Sequence, residues 1–335
     1  MIETVLGPID PDALGVTSFH DHLASDSSSL RRDGALPAPA SDRVGPDTIA
    51  YVRDNMLALA DNLRLDDDEL LVRELAAATD AGHQALVEAS SWGLGPGHAR
   101  LPGISRRSGV AVVSSYGAYI RRTLPARDAD LAEDEWEALL VTALVDGVPG
   151  TAYRAGILGI MGTTAVFGDE ERGMLRAASR AALTGSAAIT VRLDPDARNG
   201  LEVLGVCTAE GLPADRIVFT NADEFMDAPY WSDLASAGAV IEMCFGTEFG
   251  HPDRIENASD LERLDFFAAF CDAHPAARHV LGTSIWTKAH LAAHGGPGYG
   301  HLGAVIAPAL DARGIPASRV TAMLVDEPRR LLDRG

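Results

Sequence analysis

Eight short apolar segments, each followed by sequence of helical spacing, constrain this 335-residue chain more than any other feature. The segments are 15–23, 84–90, 109–116, 155–161, 187–192, 216–221, 239–244 and 279–284. After them, apolar residues recur at helical intervals over 47–63 and 68–80, 99–108, 130–146, 168–184, 197–210, 223–237, 259–273, and finally 300–313 and 316–333. Near-continuous apolar strands are buried on both faces, which is what a parallel sheet covered by helices requires. Eight strand–helix units in one chain predict an α/β fold, a single (β/α)8 TIM barrel spanning residues 1–335. The rival arrangement is a doubly wound open sheet. It usually carries a Gly-rich first turn, and no Gly-x-Gly-x-x-Gly follows a strand here.

Composition narrows the partners. Apolar residues make up 47% of the chain and aromatic ones 6%, so the expected core is large and mostly aliphatic. Twenty-eight Lys and Arg against 48 Asp and Glu give a net charge of -20, which repels phosphate backbones and anionic membrane surfaces. No nucleic acid and no membrane is expected as partner. No apolar run approaches the ~18 residues of a membrane span, and the first residues lack a signal-peptide pattern. Cys207, Cys244 and Cys271 are too far apart for a Cys-x-x-Cys motif and odd in number. Free thiols in a soluble, cytoplasmic protein are the expectation.

Chemistry in such a barrel sits at the carboxyl ends of the strands. Those ends carry His20 and His22, Glu88, Tyr116, Gly159, Arg192, Asn221, Cys244 and Ser284. Residues two apart on a strand share a face, so His20 and His22 present two imidazoles together. They are either half of a metal site or an acid/base pair.

Four segments carry a family resemblance: Gly15-Val-Thr-Ser-Phe-His-Asp-His-Leu23; Asp146-Gly-Val-Pro-Gly-Thr-Ala-Tyr-Arg-Ala-Gly-Ile-Leu158; Lys288-Ala-His-Leu-Ala-Ala-His-Gly-Gly-Pro-Gly-Tyr-Gly-His-Leu302; and Met323-Leu-Val-Asp-Glu-Pro-Arg-Arg-Leu-Leu332. In this order they resemble the phosphotriesterase-related family of the amidohydrolase superfamily. The resemblance implies a metal-dependent hydrolase of lactones, esters or phosphotriesters. It also implies a binuclear centre, usually Zn, held by the strand-one histidines, a carboxylated lysine on strand four, histidines on strands five and six, and an aspartate on strand eight. Two cations there lower the pKa of bound water and polarise the substrate oxygen.

Only His20 and His22 match that ligand set. The lysine position falls on Gly159, the two histidine positions on Arg192 and Asn221, and the aspartate position on Ser284. Lys288 is the single lysine of the chain. Arg brings its own charge and cannot ligate, and Gly offers nothing. No cofactor is expected, or at most one Zn on His20 and His22 with Glu88 or Cys244 as a third ligand.

The altered set suits metal-free hydrolysis of an ester, lactone or related acyl bond in a small molecule. His20 and His22 would act as acid and base, and Arg192 would bind an anion or oxyanion. Asn221 and Ser284 would donate hydrogen bonds. Substrate contacts are expected from Glu88, Tyr116, Tyr119, Glu242, Cys244, Trp286 and Lys288. Each has a plainer alternative. Arg192 could pair with Glu88 or Glu242, Asn221 could cap a loop, and Cys244 could be a buried thiol. Tyr116 and Tyr119 could pack loops, Lys288 could fold back on a helix end, and His290, His294 and His301 could face solvent.

An inactive barrel that binds a small molecule or protein, a mononuclear Zn hydrolase, and a metal-free isomerase, cyclase or lyase are the alternatives in function. A homodimer is a family-level expectation. Specificity is expected in the loops 24–46, 117–130, 222–232, 245–258 and 285–300.

Overall fold

The computed structural model describes every residue except 126, 127, 129 and 254, so these members of the 117–130 and 245–258 loops lie outside the described residues. An antiparallel hairpin opens the chain, β1 (Ile2–Thr4) with β2 (Gly7–Ile9), Ile2 opposite Ile9. Eight parallel strands follow: β3 (Thr17–Asp21), β4 (Ala85–Glu88), β5 (Ala111–Tyr116), β6 (Ile157–Gly162), β7 (Ile189–Arg192), β8 (Ile217–Thr220), β9 (Val240–Cys244) and β10 (His279–Gly282). Each pairs with its neighbours in chain order. The expected (β/α)8 barrel is the fold.

Two layers of apolar side chains account for the strand sequences. Alternate residues, among them Ala85 and Val87, Val113, Ala188, Val218, Val240 and Val280, fill the barrel interior. Ile2 from the hairpin and Leu331 and Leu332 from the chain's end pack on the same cluster. The opposite alternation, such as Leu86, Val112, Ile241, Met243 and Leu281, packs under the helices.

On the first barrel strand the register shifts between Ser18 and Asp21. Phe19 joins the interior cluster, and His20 and His22 still line the cavity above it. A one-residue slip in a strand of period two changes which side chains face inward.

The helices differ from the sequence reading mainly at their ends. The 47–63 stretch holds only α1 (Ile49–Asp54) and a short turn at Ala60–Leu63. The next are α2 (Asp68–Asp80), α3 (Leu101–Ser108), α4 (Glu133–Val145), α5 (Asp169–Gly185) and α6 (Gly200–Ala209). In 223–237 the helix α7 (Ala228–Ser236) starts late, where Asp227 caps the Tyr230 N–H and Pro229 suits the first turn. A Ser259/Glu262 capping box starts α8 (Asp260–Ala273). The two closing helices contain wide turns at Leu302–Ile306 and Ala322–Asp326, each just before a proline, Pro308 and Pro328. Proline has no N–H to continue the regular ladder. Among the described residues no helix is long and apolar enough to cross a membrane.

His279 shows how apolar the packing under α7 and α8 is. Its ring lies 5.0 Å from Phe267, 5.7 Å from Phe270 and 6.2 Å from Trp231. Burial drives its pKa from 6.5 down to about 3. The unfolded chain therefore binds a proton that the fold excludes, and stability falls as pH drops below 6.5 towards 3. Carboxyl groups with raised values, such as Glu88, act in the opposite sense, so a difference measurement is needed. We expect His279→Phe to gain on wild type by roughly 1 kcal/mol per pH unit as pH falls through this window. Parallel denaturant titrations at stepped pH would read it; a constant gap would refute it.

Candidate functional site

The barrel closes where its first and last strands meet, and the site is built on that closure. The Ser284 N–H donates to the His20 carbonyl at 2.7 Å, and the His22 N–H donates to the Ile285 carbonyl at 2.8 Å. Between the histidines, Asp21 points the other way and accepts from the Thr283 hydroxyl at 2.5 Å and the Ile285 N–H at 3.1 Å. Burial raises the Asp21 pKa to about 6, against the hydrogen bonds that favour its charge. The His-Asp-His triplet therefore staples strand to strand with its middle residue and presents imidazoles with its outer two.

Those imidazoles form one hydrogen-bonded line. His20 Nδ1 lies 2.9 Å from Glu242 Oε2, and the two Nε2 atoms are 3.2 Å apart. His22 Nδ1 lies 2.9 Å from the Ser90 hydroxyl. Burial pulls the His20 pKa down, but the Glu242 carboxylate, helped by Asp21 and Asp223, outweighs it, and the net shift is upward. His22 is held well below its usual value by burial first, then by His20 and His290. The opposite shifts favour a proton on His20 over one on His22; in that arrangement His20 Nε2–H donates to His22 Nε2, and His22 Nδ1–H donates to Ser90.

Around this line opens a cavity of about 110 Å3. Of the expected residues it brings together His20, His22, Arg192, Asn221, Ser284, Tyr119 and Trp286. Asn221 adopts a left-handed backbone (φ 52°) and makes no side-chain cap to the following turn. Its Nδ2 instead donates to Ser284 Oγ at 3.1 Å, and its N–H to Glu242 Oε2 at 3.2 Å. Ser284 is left-handed as well (φ 46°).

Several expectations need correction. Arg192 pairs with neither Glu88 nor Glu242; its partner is Glu224, from the turn after β8. Glu242 and Cys244 lie beneath the cavity and not in its lining. Burial pushes the Cys244 thiol well up, followed by the Glu242 and Asp223 carboxylates, so it is no activated nucleophile. Glu88 is buried behind the histidines, where it accepts from the Leu23 N–H. Tyr116 packs against Trp92 and His98 away from the cavity. Lys288 reaches Asp61 and Asp66 instead of the cavity. His290 is fully buried between Phe249 and Trp286, not solvent-facing, and His301 pairs with Asp260.

Sequence reasoning missed Glu224 and the wall residues Leu30, Leu57, Leu94 and Ile255. Leu30, Glu224 and Ile255 do fall within the loops 24–46, 222–232 and 245–258 in which specificity is expected.

The chain matches the model of the phosphotriesterase family over residues 1–332. It belongs to that family. Relatives include the N-acetyltaurine hydrolases of Tetraodon nigroviridis, 27% identical, and Homo sapiens, 24% identical, each aligned over 99% of this chain and 97% of the relative. Among solved structures, a resiniferatoxin-binding protein from Rhodobacter sphaeroides superposes with a TM-score of 0.94 at 28% identity, covering 99% of this chain and 94% of that one. A lactonase from Listeria monocytogenes shares the fold, with a TM-score of 0.79 at 20% identity over 100% of this chain and 99% of the other.

The binuclear centre implied by the phosphotriesterase resemblance does not fit these residues. At the lysine position a Cβ on Gly159 would stand 2.0 Å from Thr190 Oγ1 and 2.7 Å from its carbonyl oxygen, on a backbone with φ 132°. Arg192 is a cation, and Asn221 and Ser284 are bonded to each other. One further trio, His20, Glu242 and Cys244, has ligand atoms within 4.8 Å of one another. In that trio Glu242 Oε2 and His20 Nδ1 are 2.9 Å apart and already hydrogen-bonded to each other. The cavity side is left with two imidazoles, short of the three protein ligands of a catalytic zinc site.

The same crowding makes a stability prediction. Gly159→Ala is expected to cost roughly 2 kcal/mol, by overpacking against Thr190 and by left-handed strain. Denaturant melts measure it, and a variant as stable as wild type would show that the position has room.

Proposed function

We propose that this phosphotriesterase family member hydrolyses an ester, lactone or related acyl bond of a small molecule without a catalytic metal. The hydrolase relatives support the reaction class. The Glu242–His20–His22 line is the observation that carries the mechanism. With one proton between two Nε2 atoms, one nitrogen can accept a proton from the attacking water while the other gives its proton to the leaving group. Glu242 keeps the pair oriented and offsets its positive charge throughout.

The developing oxyanion would be met by Asn221 Nδ2, the Ser284 hydroxyl and Arg192, which line one cavity. Glu224 already neutralises Arg192, so the reading favours an uncharged acyl group over a free carboxylate. Cys207, Cys244 and Cys271 are buried free thiols, which suits a reducing, cytoplasmic setting. A homodimer belongs to the same proposal.

A screen of esters, lactones and amides with wild type, His22→Ala and Arg192→Ala tests this. His22→Ala should lower kcat by about 10²–10⁴-fold, the usual worth of positioned acid–base catalysis. Variants equal to wild type on every substrate turned over would rule the site out. The Rhodobacter sphaeroides neighbour favours a second reading, a binding protein. No turnover, together with a ligand that raises Tm, would support it.

A further inference from the structure

The single lysine holds the pocket's outer wall in place. The long segment between β3 and α2 folds back over the barrel mouth, and its Ser27, Leu30 and Leu57 line the cavity together with Trp286 and Ile255. Lys288 Nζ lies 2.7 Å from Asp61 Oδ1 and 2.9 Å from Asp66 Oδ1, both at the end of that segment. Next to it the Ala289 N–H donates to Asn62 Oδ1 at 2.9 Å, and Asn62 Nδ2 donates to the Met56 carbonyl at 2.8 Å.

The Leu57 side of the segment is tied separately to the loop after β9. The Met56 N–H donates to Gly250 O at 2.9 Å, and the Leu57 N–H donates to His251 Nδ1 at 3.3 Å.

We propose that Lys288 is a positioning residue for substrate binding: it clasps the 24–66 segment over the cavity so that Leu30 and Leu57 complete the pocket wall. The inference rests on the cavity being the substrate site. The Lys288 and Asp61 side chains are only 11% and 17% exposed, so the pair is shielded from solvent more than a surface bridge. A compact ammonium with three donors can serve two carboxylates at once. Without it, Asp61 and Asp66 repel one another within the segment, and the segment loses its ionic tie to the loop after β10. Trp286, two residues before Lys288, lines the same cavity and packs in the same apolar cluster as Leu57, so the clasp and the pocket share one loop.

Lys288→Met is expected to speed amide hydrogen exchange across 27–66 and to raise KM about tenfold, with kcat within about threefold of wild type. Lys288→Arg should restore part of both readouts. Adding Asp61→Asn to Lys288→Met should also recover part, because it removes one of the two opposed charges. Wild-type exchange in Lys288→Met would overturn the clasp whether or not any substrate is known. Faster exchange with an unchanged KM, or a loss confined to kcat, would overturn its role in binding. If no substrate is turned over, the exchange readout still decides the clasp, and that failure belongs to the hydrolase reading.

Discussion

Everything at the active end depends on how the barrel closes. A sheet of eight strands becomes a barrel only if the first and last strands find each other. Here the bonds that join them run through His20, Asp21 and His22 on one side and Thr283, Ser284 and Ile285 on the other. The residues that close the fold are also the ones that present the imidazoles and the Ser284 hydroxyl. Their geometry is therefore set by the backbone of the barrel and not by a mobile loop. That is the rigidity a proton-transfer pair needs when its nitrogens must stay in hydrogen-bond range.

Three buried charges near this seam have an oppositely charged partner, whereas Asp21 and Glu88 are held by hydrogen bonds from neutral groups. His20 faces Glu242, Arg192 faces Glu224, and Arg263, fully buried, faces Asp223 at 2.8 Å. An unpaired charge at such depth would cost several kcal/mol. In each of these pairs one side chain balances another. Asn221 links two of the parts, bonding Glu242 through its backbone and Ser284 through its amide. The apolar part of the cavity lining includes Leu30, Leu57, Leu94 and Ile255.

The sequence carried the barrel because each strand is an uninterrupted apolar run, and burial on both faces leaves that trace. It also carried the cavity members that sit at strand ends, His20, His22, Arg192, Asn221 and Ser284, since strand ends are where a barrel gathers side chains. It did not carry the hairpin at Ile2–Ile9, whose three-residue strands are too short for periodicity to register. Glu224 and the Leu57 wall were hidden for another reason. They come from turns and a long loop, whose placement depends on contacts far away in sequence, such as Lys288 with Asp61. His290 was misjudged because a Gly-rich loop usually faces water, whereas this one packs inward on Phe249. The slip at Ser18–Asp21 that lets both Phe19 and His20 face inward likewise leaves no mark in the residue types.

The central claim is that these paired side chains do the work that the family's resemblance assigns to two metal ions. The most direct measurement is the metal content of the purified protein alongside its kcat/KM on a turned-over ester or lactone, before and after exhaustive dialysis against chelator. The account predicts far less than one divalent metal per chain and unchanged kcat/KM. One tightly bound zinc per chain, with activity that disappears and returns with it and is lost together with it in His20→Ala, would contradict the account.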